Sequence, residues 1–321
     1  MILYSDQKPS FKGGIERFCK ELSEIYQFHD IFWIDRIGSI CSLLNKKVIN
    51  PYKTYNFLKK NNDNSLLITG FSSISVSIVI LISFICNKRV VYAPYFHPFS
   101  VHRNPILAYV YFHLITRWLL LKIDTIILPN LDSKKFFQKY NKNIFCIPLW
   151  LNNFDKFETS SKKRRGILFV GRLEKNKGIH VLEKIYETIE LKVVSVSNLK
   201  LNRKNVEYFN NVDDKKLHEI YRNSLITIIP SEYESFSFVQ LESMLQGTPI
   251  MTSKNVKINE NFNNDYIKLL DFENCDINKE LLNFIDFLKS DLKFEKSLTL
   301  SAEALIKESK GKYLKILKTF D

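Results

Sequence analysis

The stretch from Leu225 to Ser253 constrains this chain more than any other. LITIIP at 225–230 is a continuous, largely β-branched run with the length of a buried parallel strand, and Phe236–Gln246 then has helical length and stops at Gly247. A second apolar run follows at Pro249–Thr252. Strand, loop, helix and strand in that order make an α/β unit, with the loop at the carboxyl end of its strand. The start of such a helix offers backbone amides, here those of Ser235, Phe236, Ser237 and Phe238, and these suit a phosphate. Two carboxylates bracket the amides, Glu234 before them and Glu242 within the helix. Glu242 shares a core-facing stripe with Phe238, Leu241 and Leu245, where an ionised carboxylate needs a partner. The plain alternative is a slightly rotated stripe with a solvated glutamate.

The same alternation runs through the rest of the chain. LLITG, VVYAP, IDTIILP, IFCIPLW, GILFVG, LKVVSV and VEYF read as strands, with SKKFFQKY and DDKKLHEIYRNS among the helices between them. Leu66–Cys86 holds 21 residues without a charge, long enough to consider as a membrane span. Gly70 and five serines interrupt it, and a strand followed by a buried helix fits better. The polar segment Asn152–Arg165, ending in KKRR, is the natural domain boundary. The expected division is 1–155, 156–300, and a C-terminal helix at 301–321 returning to the first domain. A length of 321 residues with 45% hydrophobic content supports two cores.

Charge and cysteine content narrow the setting. Of the net +13, +10 falls on residues 1–150. Basic surfaces attract nucleic acid, anionic lipid or anionic substrates. The absence of nucleic-acid motifs and the many aliphatic residues in that half favour an anionic membrane and argue against nucleic acid as a partner. Pro105–Lys122 is an aromatic and aliphatic helix with Arg103, Arg117 and Lys122 at or near its ends, which suits either a lipid surface or burial in the first domain. Five cysteines without paired or metal-type spacing fit a reducing compartment, and the start of the chain lacks the pattern of a secretory signal. No G-x-G-x-x-G follows either domain's first strand, which argues against a nicotinamide-dependent oxidoreductase.

Three further places hold candidate residues, although a Gly-Gly pair also reads as a flexible turn and a lone loop histidine as structural. Gly13 and Gly14 stand where a loop runs into the first helix, with Arg17 one turn on. His97 lies in a loop between Pro94 and Pro98, after the strand VVYAP, with His102 a nearby rival. His113 looks like a packing or interfacial residue. Arg172 and Lys177 follow the strand GILFVG and precede a helix near Gly178, pairing a planar fork with a point charge in the manner of a diphosphate clamp.

Two strings, P-S-x-x-E-S-F-x-x-V-x-L-E-x-M-x-x-G-T-P at 230–249 and G-R-L-x-x-x-K-G at 171–178, resemble the motifs of retaining glycosyltransferases of GT-B architecture. The match is to glycosyltransferase family 4, the glycosyl transferases group 1. The resemblance implies an α/β fold of GT-B type, with two Rossmann-like domains facing each other across a cleft. It places Glu234 beside the donor hexose, Glu242 on the ribose hydroxyls, and Arg172 and Lys177 on the phosphates. Gly13, Gly14 and Arg17 would approach the nucleotide sugar, and His97 the reacting hydroxyls. Serine stands at 235 and 237 where the family commonly has glycine, and Leu149, Trp150 and Leu151 precede Asn152 where it often has Asn-Gly after Ile-Pro.

The activity implied is retaining transfer of a hexose from a nucleotide diphosphosugar, UDP-linked ahead of GDP-linked, without a cofactor or bound metal. The acceptor would be a polyprenyl-diphosphate-linked saccharide in bacterial O-antigen, capsule or lipopolysaccharide assembly, met on the inner face of the cytoplasmic membrane. The alternative is a catalytically silent glycan- or nucleic-acid-binding protein of similar fold.

Overall fold

The computed structural model describes residues 1–9, 13–41, 47–71, 73–96, 98–99, 104–152, 164–197, 199–291 and 293–321. The chain divides into two compact units, Met1–Asn152 with Glu308–Asp321, and Asn153–Lys307.

In the first unit the elements run β1 (Ile2–Tyr4), α1 (Gly14–Ile25), β2 (Asp30–Phe32), α2 (Ile34–Ile37), β3 (Ser39–Cys41), β4 (Lys47–Ile49), α3 (Pro51–Lys60) and β5 (Ser65–Thr69). They continue with α4 (Ile74–Ile85), β6 (Arg89–Ala93), α5 (Pro105–Tyr111), a π-helical turn (Phe112–Thr116), α6 (Arg117–Leu120), β7 (Thr125–Leu128), α7 (Leu131–Phe137) and β8 (Ile144–Cys146). Six strands form a parallel sheet in the order β2-β1-β5-β6-β7-β8, and β3 with β4 makes a small antiparallel hairpin. The strands read as apolar runs because helices cover both faces of a parallel sheet. Ile2, Leu3, Tyr4, Leu66, Leu67 and Ile68 are all fully buried. Four helices start on a side chain that accepts a backbone N–H: Asn50 for α3, Ser73 for α4, Asn104 for α5 and Asn130 for α7. The C-terminal segment of this unit is held by aromatic packing. Tyr313 meets Phe18 and Trp150 edge-on, with ring centroids 5.6 and 5.2 Å apart.

The second unit runs β9 (Ile167–Val170), a 3₁₀ turn (Lys175–Lys177), α8 (Ile179–Leu182), β10 (Leu191–Val194), β11 (Val206–Phe209), α9 (Asp214–Arg222) and β12 (Ile226–Ile229). It continues with α10 (Phe238–Leu245), β13 (Ile250–Ser253), β14 (Ile267–Leu270), α11 (Ile277–Ser290) and α12 (Phe294–Leu317), whose residues from Glu308 onward belong to the first unit. The sheet is parallel in the order β11-β10-β9-β12-β13-β14. Counted within the unit this is 3-2-1-4-5-6, the doubly wound dinucleotide-binding order, whose direction reverses between β9 and β12. Two Rossmann-like units of this kind are the α/β, GT-B-type fold expected.

Two elements differ in detail from the sequence reading, and the uncharged stretch follows it. The helix expected from Phe236 starts at Phe238, because the Ser237 hydroxyl accepts the Gln240 N–H and makes Ser237 the cap. The uncharged stretch at 66–86 resolves into β5 and the twelve-residue α4, and among the described residues no helix is long and apolar enough to cross a membrane. Pro105–Lys122 is not one α-helix. The π turn adds a residue to the register at 112–116, so that Phe112, Thr116, Leu119 and Leu120 all reach the core.

Candidate functional site

In a doubly wound sheet the loops at the carboxyl ends of the two strands flanking the reversal form the ligand crevice. In the second unit those are the loops after β9 and β12, which carry Arg172, Lys177 and Glu234. The two loops are in direct contact. The Glu232 N–H donates to the Asn176 carbonyl at 2.9 Å, and the Lys177 ammonium donates to Glu234 Oε1 at 2.8 Å. The Ser231 hydroxyl donates to the same Oε1 at 2.9 Å. Both charged side chains are partly accessible, Lys177 at 25% and Glu234 at 17%. The backbone of Glu234 is pinned from a third loop, its N–H donating to the Asn255 carbonyl at 3.2 Å and its carbonyl accepting from Lys257 N–H at 2.9 Å.

Gly178 makes this approach possible. Its φ is +80°, and a Cβ there would lie 2.4 Å from the Pro230 carbonyl oxygen. Gly178→Ala is therefore expected to destabilise the second unit by about 3 kcal/mol, from left-handed strain and overpacking together. Urea denaturation measures it, and a loss under about 1 kcal/mol would mean that the two loops part easily. Arg172 is more loosely held. It is exposed and pairs with Glu174 of its own loop at 2.9 Å. The two cations expected to form a clamp thus sit in one loop with different carboxylates.

Glu242 is buried, at 4% exposure, and accepts from the Tyr221 hydroxyl of α9 at 2.8 Å. It is not on a narrow stripe, since every residue from Gln240 to Leu245 is buried. An uncharged donor thus supports one carboxylate oxygen within the packed helix, the arrangement that lets a buried carboxylate persist. Ser235, Phe236 and Ser237 are buried as well, and Phe238 is half-buried.

In the first unit the reversal of strand order lies between β1 and β5. Gly13, with φ +92°, leads into α1 from Gly14, and its carbonyl accepts the Arg17 N–H at 3.2 Å. Arg17 Nε lies 3.7 Å from Glu21, a carboxylate that burial pushes up and that Asn152 N–H answers at 2.5 Å. His97, its rival His102 and Arg103 lie outside the described residues. His113 packs between Tyr109 and Phe112, with ring centroids 4.2 and 5.3 Å away. Arg117 stacks on Trp118 at 4.8 Å and Lys122 is exposed.

Sequence reasoning missed three residues that shape these sites. Ser231 steadies Glu234 and Tyr221 steadies Glu242. Asp6 closes β1 of the first unit, with the Tyr4 hydroxyl donating to it at 2.6 Å and burial raising its pKa. The position of Ser231, three residues before Glu234, was a readable turn signal. Among the described residues no group of three or more His, Cys, Asp or Glu is arranged to hold a metal.

Residues 152–303 match the family of glycosyl transferases group 1. The chain resembles that family. The match covers the unit whose geometry is described above. Two curated relatives match shorter stretches of the chain. An uncharacterized 41.2 kDa protein in the cps region of Klebsiella pneumoniae is 29% identical over 101 residues, 29% of this chain and 28% of the relative. The uncharacterized glycosyltransferase MJ1607 of Methanocaldococcus jannaschii is 34% identical over 103 residues, 27% of this chain and 26% of the relative. The chain thus spans about a quarter of the length of these relatives. Among solved structures, Anabaena HepE in complex with UDP-glucose superposes with a TM-score of 0.70 at 15% identity, covering 99% of both chains. At that identity the likeness is one of fold.

Proposed function

We propose that this chain is a retaining glycosyltransferase moving a hexose from UDP to a saccharide acceptor carried on polyprenyl diphosphate. The observation that carries the reading is the Lys177–Glu234 contact at the strand-order reversal of a 3-2-1-4-5-6 sheet, within the G-R-L-x-x-x-K-G and P-S-x-x-E-S-F strings. Departure of a nucleoside diphosphate develops negative charge on its phosphate oxygens, and cations fixed beforehand lower the energy of that state. Lys177 and Arg172 supply them, with the start of α10 as a third electropositive element. Glu234 faces the hexose and Glu242 the ribose. UDP is supported by the HepE complex with UDP-glucose, and surface-polysaccharide assembly by the Klebsiella relative from a cps region. The protein works as a peripheral protein on the inner face of the cytoplasmic membrane, in keeping with the excess of positive charge on residues 1–150.

A panel of nucleotide sugars, scored for release of free nucleoside diphosphate, tests the reading. A UDP-hexose is expected to be turned over, with the product keeping the donor's anomeric configuration by NMR. Because protein cations carry the leaving-group charge, EDTA is expected to leave the rate within about twofold. Turnover that collapses in EDTA and returns with a divalent cation would move the leaving-group role to a metal.

A further inference from the structure

From α5 through α6 the chain is apolar on two sides at once. Phe112, Thr116, Leu119 and Leu120 fill the core. The opposite side presents Ile106, Leu107, Val110, Leu114, Trp118 and Leu121 to solvent, with Ile106 77%, Leu114 68% and Trp118 56% exposed. A helix of a soluble protein ordinarily turns polar residues outward, so this face is unusual. The neighbouring α4, which packs against α6, adds Leu81 at 47% and Ile85 at 68%. Tyr111 ties α5 to α4, its hydroxyl donating to Ser77 Oγ at 2.7 Å.

We infer that α4 and the α5–α6 segment together form one lipid-inserting face of the first unit, and that its occupant is the surface of an anionic bilayer. The charges identify the occupant. Residues 104–123 contain no Asp or Glu, while Arg117 and Lys122 stand on or beside the face. Arg117 lies over the Trp118 ring, the pairing of cation and amphipathic aromatic that suits the level of lipid headgroups. A second copy of the chain on this face would bring cations to cations with no carboxylate to answer them. Neither helix is long enough to span, so the contact is in-plane insertion of side chains, strengthened by anionic headgroups. The inference builds on the proposed lipid-linked acceptor and supplies the surface that would bring the first unit to it.

Co-sedimentation of the full chain with phosphatidylglycerol-rich vesicles tests it. Wild type is expected in the pellet, and less so with neutral vesicles or high salt. Leu114→Gln with Trp118→Gln is expected to lower partitioning at least tenfold, and Leu81→Gln with Ile85→Gln severalfold. All four side chains are solvent-exposed, and an unchanged melting temperature confirms that the variants fold. Brominated lipid is expected to quench part of the tryptophan emission, and Trp118→Phe to abolish that part, the remaining tryptophans being Trp33 and Trp150. Wild type left in the supernatant at low salt overturns the inference, as does binding indifferent to the Leu114 and Trp118 changes. A dimer in sedimentation equilibrium that these changes dissolve would assign the face to a second copy instead. Transfer to a soluble saccharide acceptor is scored separately. Transfer without vesicle binding overturns this inference alone, and vesicle binding without transfer from any nucleotide sugar overturns the functional reading alone.

Discussion

Lys177→Ala is expected to weaken binding of UDP by roughly 30- to 100-fold while changing that of uridine by less than about twofold, because a charge-assisted contact to phosphate is worth about 2–3 kcal/mol. The ammonium is already neutralised by Glu234 at 2.8 Å, and this shapes the outcome. Removing Lys177 deletes an attraction and also leaves the Glu234 carboxylate facing the diphosphate without its cation. Adding Glu234→Gln to Lys177→Ala should therefore recover UDP affinity about threefold to tenfold, although turnover stays lost. Arg172→Ala is expected to cost less, about tenfold, since its guanidinium is exposed and tied to Glu174. Calorimetry with uridine and UDP on the four proteins measures all of this. Equal losses for nucleoside and diphosphate would remove Lys177 from the phosphates.

The residues of this site show what was legible beforehand. Strand, loop and helix around Pro230 could be read because a continuous β-branched run, a turn and a glycine stop are local signals. The sheet order, and hence the meeting of the β9 and β12 loops, is a consequence of right-handed crossovers over many residues and has no local signature. That is why Lys177 and Glu234 could each be named from a motif while their ion pair could not. Short strands escaped for the same reason. Asp30–Phe32 takes its structure from β1, the strand it pairs with. Two cations are buried where the sequence carries no sign of it. Lys192 looked like an ordinary residue of LKVVSV, yet it is buried, and its ammonium donates to the Arg165 and Asn223 carbonyls at 2.8 and 3.0 Å while burial pulls its pKa down. Arg164 stood in KKRR, a run that reads as solvated.

Arg164→Ala is expected to be the most destabilising single change in the second unit, by about 3–5 kcal/mol, or about 10 °C in melting temperature. The side chain is 7% exposed, and its donors answer groups from three helices. Nη1 donates to the Tyr221 and Ser224 carbonyls at 3.4 and 3.2 Å, at the end of α9, and to Thr248 Oγ1 at 2.9 Å. Nη2 donates to the Gln246 carbonyl at 3.2 Å, at the end of α10, and Nε donates to Glu295 at 3.0 Å, in the first turn of α12. Two helix carboxyl ends, whose unpaired carbonyls and dipoles favour a cation, and the Glu295 carboxylate are its partners. The alanine variant leaves these acceptors without their shared donor, and a desolvation cost falls on those that water does not reach. Arg164→Lys keeps the charge but not the planar fork, so it should restore no more than about half of the loss. Adding Glu295→Gln to Arg164→Ala removes the unpaired carboxylate and should recover about 1 kcal/mol, since Glu295 is 20% exposed and partly solvated already. Urea unfolding of the four proteins distinguishes the contributions. A loss below about 1 kcal/mol for Arg164→Ala would show that the helix ends find other donors when the guanidinium is gone.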